Sequence, residues 1–442
     1  MKSFFYPVQN SIVAPKGFRA AAVFCDIKKL GTGKGSNKGN KKDLALIVSD
    51  KPATVAGCFT TSQVCAAPVK ISLERARLQS ARGIVVNSGN ANACTGVQGL
   101  KDARAMTTIT ASKLGLKDEE ILVCSTGRIG VLLPMKNVAL GIEAAAPLLG
   151  NDASHSSNAA EAIMTSDTKS KQIAVEFKLG KNVVRIGGIC KGAGMIQPGM
   201  SPTGQRPASQ PLHATMLCFV TTDAAISKRA LDRALETSVA QSFNRITVDG
   251  DMSTNDSVIV LANGQAGNKT IQSQSSEDFK KFQTALNFVT LQLAQMIVRD
   301  GEGVSRFVTV KVSGARTNLE ADAAARSVAN SSLVKTSWFG GDPNWGRILG
   351  ALGYSTATVI EEKVDVAYGL PGEKKKLFSL KRGTPTSVSF QELCKIAAQP
   401  AFDLHINLNL GRGEAVIYAA DLTEEYVDFN KGDVSDPASL GG

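Results

Sequence analysis

"PLHATMLCFVTTDA" (residues 211–224) joins two kinds of chain at one step. Upstream, "MIQPGMSPTGQRPASQ" (195–210) has the Gly, Pro, Ser and Gln content of a surface loop. Downstream, from Thr215, an apolar and β-branched run reads as a buried strand. A threonine hydroxyl is a weak nucleophile unless a base takes its proton. If the bond before Thr215 were cut, the new α-amine would be that base, with a reference pKa near 8 rather than the ~10.4 of a lysine. On spacing alone the same seam also reads as an ordinary loop-to-strand junction.

Around this seam, strand-like and helix-like runs alternate. "LALIVS" (44–49), "GIVVNS" (83–88), "EILVCS" (120–125), "IAVEFKL" (173–179) and "VVRIGGI" (183–189) read as short strands. "LKDARAMTTITASKLG" (100–115) and "MKNVALGIEAAAPLLG" (135–150) read as helices, the second ending at Gly150. Ser227 opens a helix at 226–243. Another spans 276–299, with Phe279, Phe282, Leu286, Val289, Leu293 and Met296 on one stripe. Strands resume at 306–314, and "NLGRGEA" (409–415) predicts an antiparallel hairpin between the last two. This is the pattern of an α/β protein.

Composition narrows the function. The 442 residues are 43% hydrophobic and 20% charged, ordinary for a globular chain with a substantial core. The net charge of +11 is scattered, and its densest cluster, "KKLGTGKGSNKGNKKD" (28–43), reads as a solvated loop. Aromatics are 5% and no nucleic-acid module is visible, which argues against nucleic-acid binding. Attraction for carboxylate-bearing small molecules is the milder reading. The eight cysteines show no C-x-x-C pair, and with three histidines they give no zinc-type spacing. Buried free thiols, a reducing compartment and a cytoplasmic location are expected, with no membrane span.

Several polar stretches could carry chemistry. "GTGKGSNKG" (31–39) lacks the order of a phosphate loop. "NSGNANACTG" (87–96) and "CSTGRIG" (124–130) each end a β-rich run in small polar residues, which suits an oxyanion hole, although on the residues alone a tight turn with a satisfied hydroxyl is the favoured reading. "KGAGMIQPGM" (191–200) offers Lys191 beside glycines, to cradle an anion or to bend the chain. "VDGDMSTNDSV" (248–258) lacks the calcium-loop order and reads as a polar turn. Glu302 in "DGEG" reads as a solvated carboxylate.

Taken together, the chain resembles the ornithine acetyltransferase family, the bifunctional glutamate N-acetyltransferases of arginine biosynthesis. "APKGFRAA", "KKDLALIVSD", "NSGNANACTG", "CSTGRIG", "AIMTSDT", "KGAGMI", "ATMLCFVTTDA", "NRITVDGDMSTND", "DGEG" and "DPNWGRI" stand in the family's order from about residue 15 to 426. The resemblance implies a layered α-β-β-α sandwich of the self-processing type that these enzymes share with the DmpA aminopeptidases. It implies self-cleavage between Ala214 and Thr215, giving an alpha chain (1–214) and a beta chain (215–442) that pack together as a heterotetramer of two alpha and two beta. Thr215 is then the nucleophile, Thr126 and Gly127 form the oxyanion hole, and Thr165, Lys191, Thr215, Glu302, Asn430 and Ser435 contact substrate. The implied reaction moves an acetyl group from N2-acetylornithine to glutamate through an acetyl-Thr215 ester. No metal or redox cofactor is needed, and acetyl-CoA is a possible co-substrate.

The chain departs from the family pattern by extra residues at about 201–213 and by a longer C-terminus without the usual aromatic after the Asn. An aminopeptidase or amidase of the same self-processing architecture, and a basic non-enzymatic binding protein, are the competing readings.

Overall fold

A computed structural model of the chain describes residues 4–28, 41–205 and 216–431. Ala214, Thr215, Ser435, the glycine cluster at 31–39 and most of the extra loop lie outside them. The chain divides into two compact units. The first comprises Met1–Asn244, Asp251–Ile297 and Lys431–Gly442; the second comprises Arg245–Gly250 and Val298–Asn430.

The first unit is built on a mixed sheet of nine strands among the described residues. From its third strand to one edge the order is Asn182–Lys191, Leu217–Thr222, Ser257–Ala262, Leu44–Phe59, Ser80–Asn90, Ile121–Arg128. The strands form because β-branched apolar runs are buried on both faces. Successive side chains point to opposite sides of a strand. Accordingly Ala45, Ile47, Ile84, Val86, Leu122 and Cys124 enter one core, while Leu44, Leu46, Val48, Val85, Ile121 and Val123 enter another. Helices supply the second layer of each core: Ala159, Ala160 and Ala162 on one side, Met106, Val138 and Ile142 on the other. The alanines on the first side fit a sheet covered at close range.

The helices start and stop for local reasons. Gly96–Leu114 ends at Gly115, whose φ of 64° is the left-handed conformation that favours glycine. The next helix, Met135–Ala145, stops five residues short of the expected Gly150, because Pro147 falls in the tighter turn Ala146–Leu148 and has no N–H to continue the ladder. Ser227 does precede the helix Lys228–Gln241, but its side chain makes no capping bond. In the helix Glu277–Arg299 the expected stripe is buried from Phe279 to Leu293, and Ile297 rather than Met296 completes it.

The second unit holds a seven-stranded sheet, again counted among the described residues. Phe307–Ala315 is an interior strand, parallel to Ala401–Asn407 and antiparallel to Gly413–Ala420. The last two strands therefore do not form the hairpin predicted at "NLGRGEA"; a third strand separates them. Stepping across it needs about 10 Å, two strand spacings, which residues 408–412 can span. Val308, Val310, Leu404, Ile406 and Ile417 pack with Ala321, Ala324, Val328 and Trp338 of the covering helices. The chain is thus mixed α/β with two sheets.

Candidate active site

The parallel strands Ser80–Asn90 and Ile121–Arg128 end side by side, with Ser88 opposite Thr126 and Gly89 opposite Gly127. Loops beyond the carboxyl ends of parallel strands are where open α/β sheets place their ligands. Gly127 has φ 129°, and a Cβ there would lie 2.4 Å from the Gly89 carbonyl carbon. Only glycine permits that approach. "NSGNANACTG" and "CSTGRIG", which the sequence left as either turns or donors, form one polar assembly. Ser125 Oγ donates to Asn87 Oδ1 at 2.6 Å. Asn255 Nδ2 donates to the carbonyls of Ala91 (2.7 Å) and Ser125 (2.8 Å). The backbone leading into Thr126 is therefore fixed by a side chain from "STND".

Lys191 ends its strand almost wholly buried. Its Nζ donates to Thr165 Oγ1 at 2.7 Å and to Thr126 Oγ1 at 3.3 Å. By accepting from the ammonium, the Thr126 hydroxyl keeps its own hydrogen to donate. Three residues named from sequence, Thr126, Thr165 and Lys191, thus meet at one point.

Asp167 holds this cluster. It accepts from Thr165 N–H (3.0 Å), Gly192 N–H (2.7 Å) and Lys171 Nζ (2.6 Å). Its side chain and that of Lys171 are buried. Burial pushes the Asp167 carboxyl up, but Lys171, Lys191 and the hydrogen bonds outweigh it and hold the acid well below the usual carboxylate range. Sequence reasoning missed Asp167, Lys171 and Asn255. The visible signal was an Asp and a Lys four residues apart, just after "IMT".

The strand that follows the seam, Leu217–Thr222, lies against both neighbours of interest: Leu217 faces Lys191 on one side and Ser257 on the other. The chain therefore enters the sheet at Met216 beside the Lys191 cluster. In the second unit Asn430 Nδ2 donates to Glu302 Oε2 at 3.0 Å, so Glu302 is not the isolated carboxylate its flanking glycines suggested. Thr423 Oγ1 donates to the Gly303 carbonyl at 2.7 Å and fixes that turn.

Among the described residues, no group of three or more His, Cys, Asp or Glu side chains is placed to hold a metal ion, and no helix is long and apolar enough to cross a membrane.

Comparison with known proteins agrees with the resemblance. A model of the ArgJ family matches residues 20–432. The arginine biosynthesis bifunctional protein ArgJ of Geobacter sulfurreducens is 44% identical over 94% of this chain and 98% of its own. The glutamate N-acetyltransferase of Methanocaldococcus jannaschii is 42% identical over 96% of this chain and 98% of its own. The solved ornithine acetyltransferase of Mycobacterium tuberculosis, complexed with ornithine, is 35% identical, with a TM-score of 0.40 over 45% of this chain and all of that chain.

Proposed function

Since the chain belongs to the ArgJ family and is thereby a glutamate N-acetyltransferase of arginine biosynthesis, we propose that Thr215 is its nucleophile, released by self-cleavage after Ala214. Thr215 Oγ attacks the Ala214 carbonyl and the resulting ester hydrolyses, leaving residues 1–214 and 215–442. In the mature enzyme the Thr215 amine accepts the hydroxyl proton while Oγ attacks the acetyl carbonyl of N2-acetylornithine. The Thr126 hydroxyl and Gly127 N–H receive the developing oxyanion. Ornithine leaves, and glutamate takes the acetyl group from the Thr215 ester. Lys191, with Thr165, pairs with the α-carboxylate that both amino acids carry. Glu302, Asn430 and Ser435 complete the substrate contacts.

The observation that carries this reading is the meeting of Thr126, Thr165 and Lys191 beside the first residues of the strand that Thr215 precedes. Residues from both sides of the 214–215 bond share one sheet, which supports fragments that stay together; their assembly as two alpha and two beta chains is part of the proposal. Eight free thiols support a reducing, cytoplasmic setting.

Denaturing electrophoresis tests the cleavage: two near-equal fragments are expected, Thr215→Ala should stay whole, and a persistent 46.4 kDa band from the unaltered chain would overturn it. Assays crossing acetylornithine or acetyl-CoA with glutamate or water then identify donor and acceptor. Transfer to water alone would make the chain an amidase.

A further inference from the structure

"VDGDMSTNDSV" reads from sequence as a polar turn, yet one of its acids sits in the core. Asp256 is 0% exposed and stands at the head of the strand Ser257–Ala262, which runs parallel to Leu217–Thr222. The main chain at Met216 is held from both sides: Met216 N–H donates to Asp256 Oδ1, and Ser257 N–H donates to the Met216 carbonyl at 3.0 Å. Met216 N belongs to the peptide group whose carbonyl is Thr215's own. The Asp256 carboxyl is thus bonded to the peptide that leads out of the nucleophile.

Its other oxygen, Oδ2, has no hydrogen-bond partner among the described residues. Burial pushes the carboxyl well above the usual range, against the opposing pull of the Met216 N–H and Lys191. Burial thus favours the neutral form at Asp256, whereas Asp167, bonded by three donors, is held toward the charged form. A buried carboxyl oxygen with no partner among the described residues calls for a reason. Two carboxyls whose surroundings drive their ionisation apart are the pattern that separates an acid–base group from an electrostatic one.

We propose that Asp256 carries the proton in self-cleavage, working through Oδ2 on the residue whose following peptide it holds through Oδ1. The inference rests on the reading of Thr215 given above. As the bond from Thr215 Oγ to the Ala214 carbonyl carbon forms, the bond from that carbon to the Thr215 nitrogen breaks. The nitrogen must gain a proton and Oγ must lose one. Asp256 gives its Oδ2 proton to the departing nitrogen and takes the Oγ proton, ending as neutral as it began. Water then hydrolyses the ester, yielding the Ala214 carboxylate and a free hydroxyl and amine on Thr215.

Full-length Asp256→Asn and Asp256→Ala, beside the unaltered chain and Thr215→Ala, test this by denaturing gel and intact mass over time. Asparagine keeps the shape and an oxygen for the Met216 N–H but has no carboxyl proton to exchange. Cleavage of Asp256→Asn should slow about 100-fold or more, the ordinary worth of a positioned acid–base group, while its melting temperature stays close to that of Thr215→Ala. Asp256→Ala should be as slow, and added formate, but not chloride, should speed it. If Asp256→Asn cleaves within about threefold of the unaltered chain, where general acid–base help is worth far more, the carboxyl only holds the peptide and the proposal falls. If Asp256→Asn does not fold, the formate response of Asp256→Ala decides: no acceleration overturns the proposal. An unaltered chain that never cleaves sinks the Thr215 reading instead.

Discussion

Replacing Lys171 by Met removes the partner of a wholly buried carboxylate while keeping most of the volume. Asp167 and Lys171 have side chains 0% and 2% exposed and are 2.6 Å apart. Breaking such a pair from one side leaves an uncompensated buried charge, which typically costs 3–5 kcal/mol. Asp167 would retain the Gly192 and Thr165 N–H bonds and the nearby Lys191. The loss should therefore fall at the low end, about 3 kcal/mol at pH 7, read from urea unfolding. The pH dependence follows from the sign of the shift. A carboxyl held below its unfolded value lends stability that is complete above about pH 4 and is lost as pH falls through the folded value. Without Lys171 the folded value rises toward the unfolded one, so this carboxyl's acid-side loss of stability should be smaller than in the unaltered chain and be complete at higher pH. Lys191, now the nearest cation to Asp167, should lean away from Thr126 and Thr165, raising KM for acetylornithine. Adding Asp167→Asn to Lys171→Met should recover stability, since the stranded charge is gone. A loss under about 1 kcal/mol, the scale of an exposed pair, or a double variant no more stable than the single, would refute the reasoning.

Thr126→Val removes one of the two proposed oxyanion donors and should lower kcat about 10²–10³-fold, with little change in melting temperature; a loss confined to KM would assign Thr126 to substrate binding alone. Gly127→Ala forces a Cβ to 2.4 Å from Gly89 at φ 129°, so soluble yield and melting temperature should both drop. Glu302→Gln should raise KM for acetylornithine more than it lowers kcat, and an unchanged KM counts against a substrate contact. Burial lowers Lys335 to about 8. Between pH 8 and about 10.4 the unfolded chain holds a proton there that the folded one lacks, so its contribution makes stability climb with pH across that window. Lys335→Met should flatten that climb, as urea midpoints at pH 7.5 and 9.5 would show.

Much of the local structure was legible because it depends on local chemistry. Short β-branched runs such as Leu44–Val48 and Gly83–Val86 favour buried strands, and they are strands. Pairing was not legible. The hairpin expected at "NLGRGEA" fails because a strand from a hundred residues earlier in the chain takes the place between its arms, and nothing within the hairpin's own sequence records that competitor. The helix end at Ala145 was misplaced for a different reason: the glycine signal at 150 was weighed above the proline signal at 147. In the site, ordered motifs pointed to Thr126, Thr165 and Lys191, whose mutual contacts the structure adds. Asp167, Asn255 and Asp256 escaped notice because a polar residue in a polar stretch looks solvated. Their burial is decided by elements far away in sequence.

The strand after the seam is an interior one, laddered to Asn182–Lys191 on one edge and to Ser257–Ala262 on the other. The first of these comes from before residue 214 and the second from after it. If the chain is severed at 214–215, the two pieces remain woven into a single sheet, and parting them means unzipping it. Differently tagged molecules mixed after maturation should therefore yield no hybrids, because every molecule keeps for life the partner with which it was synthesised.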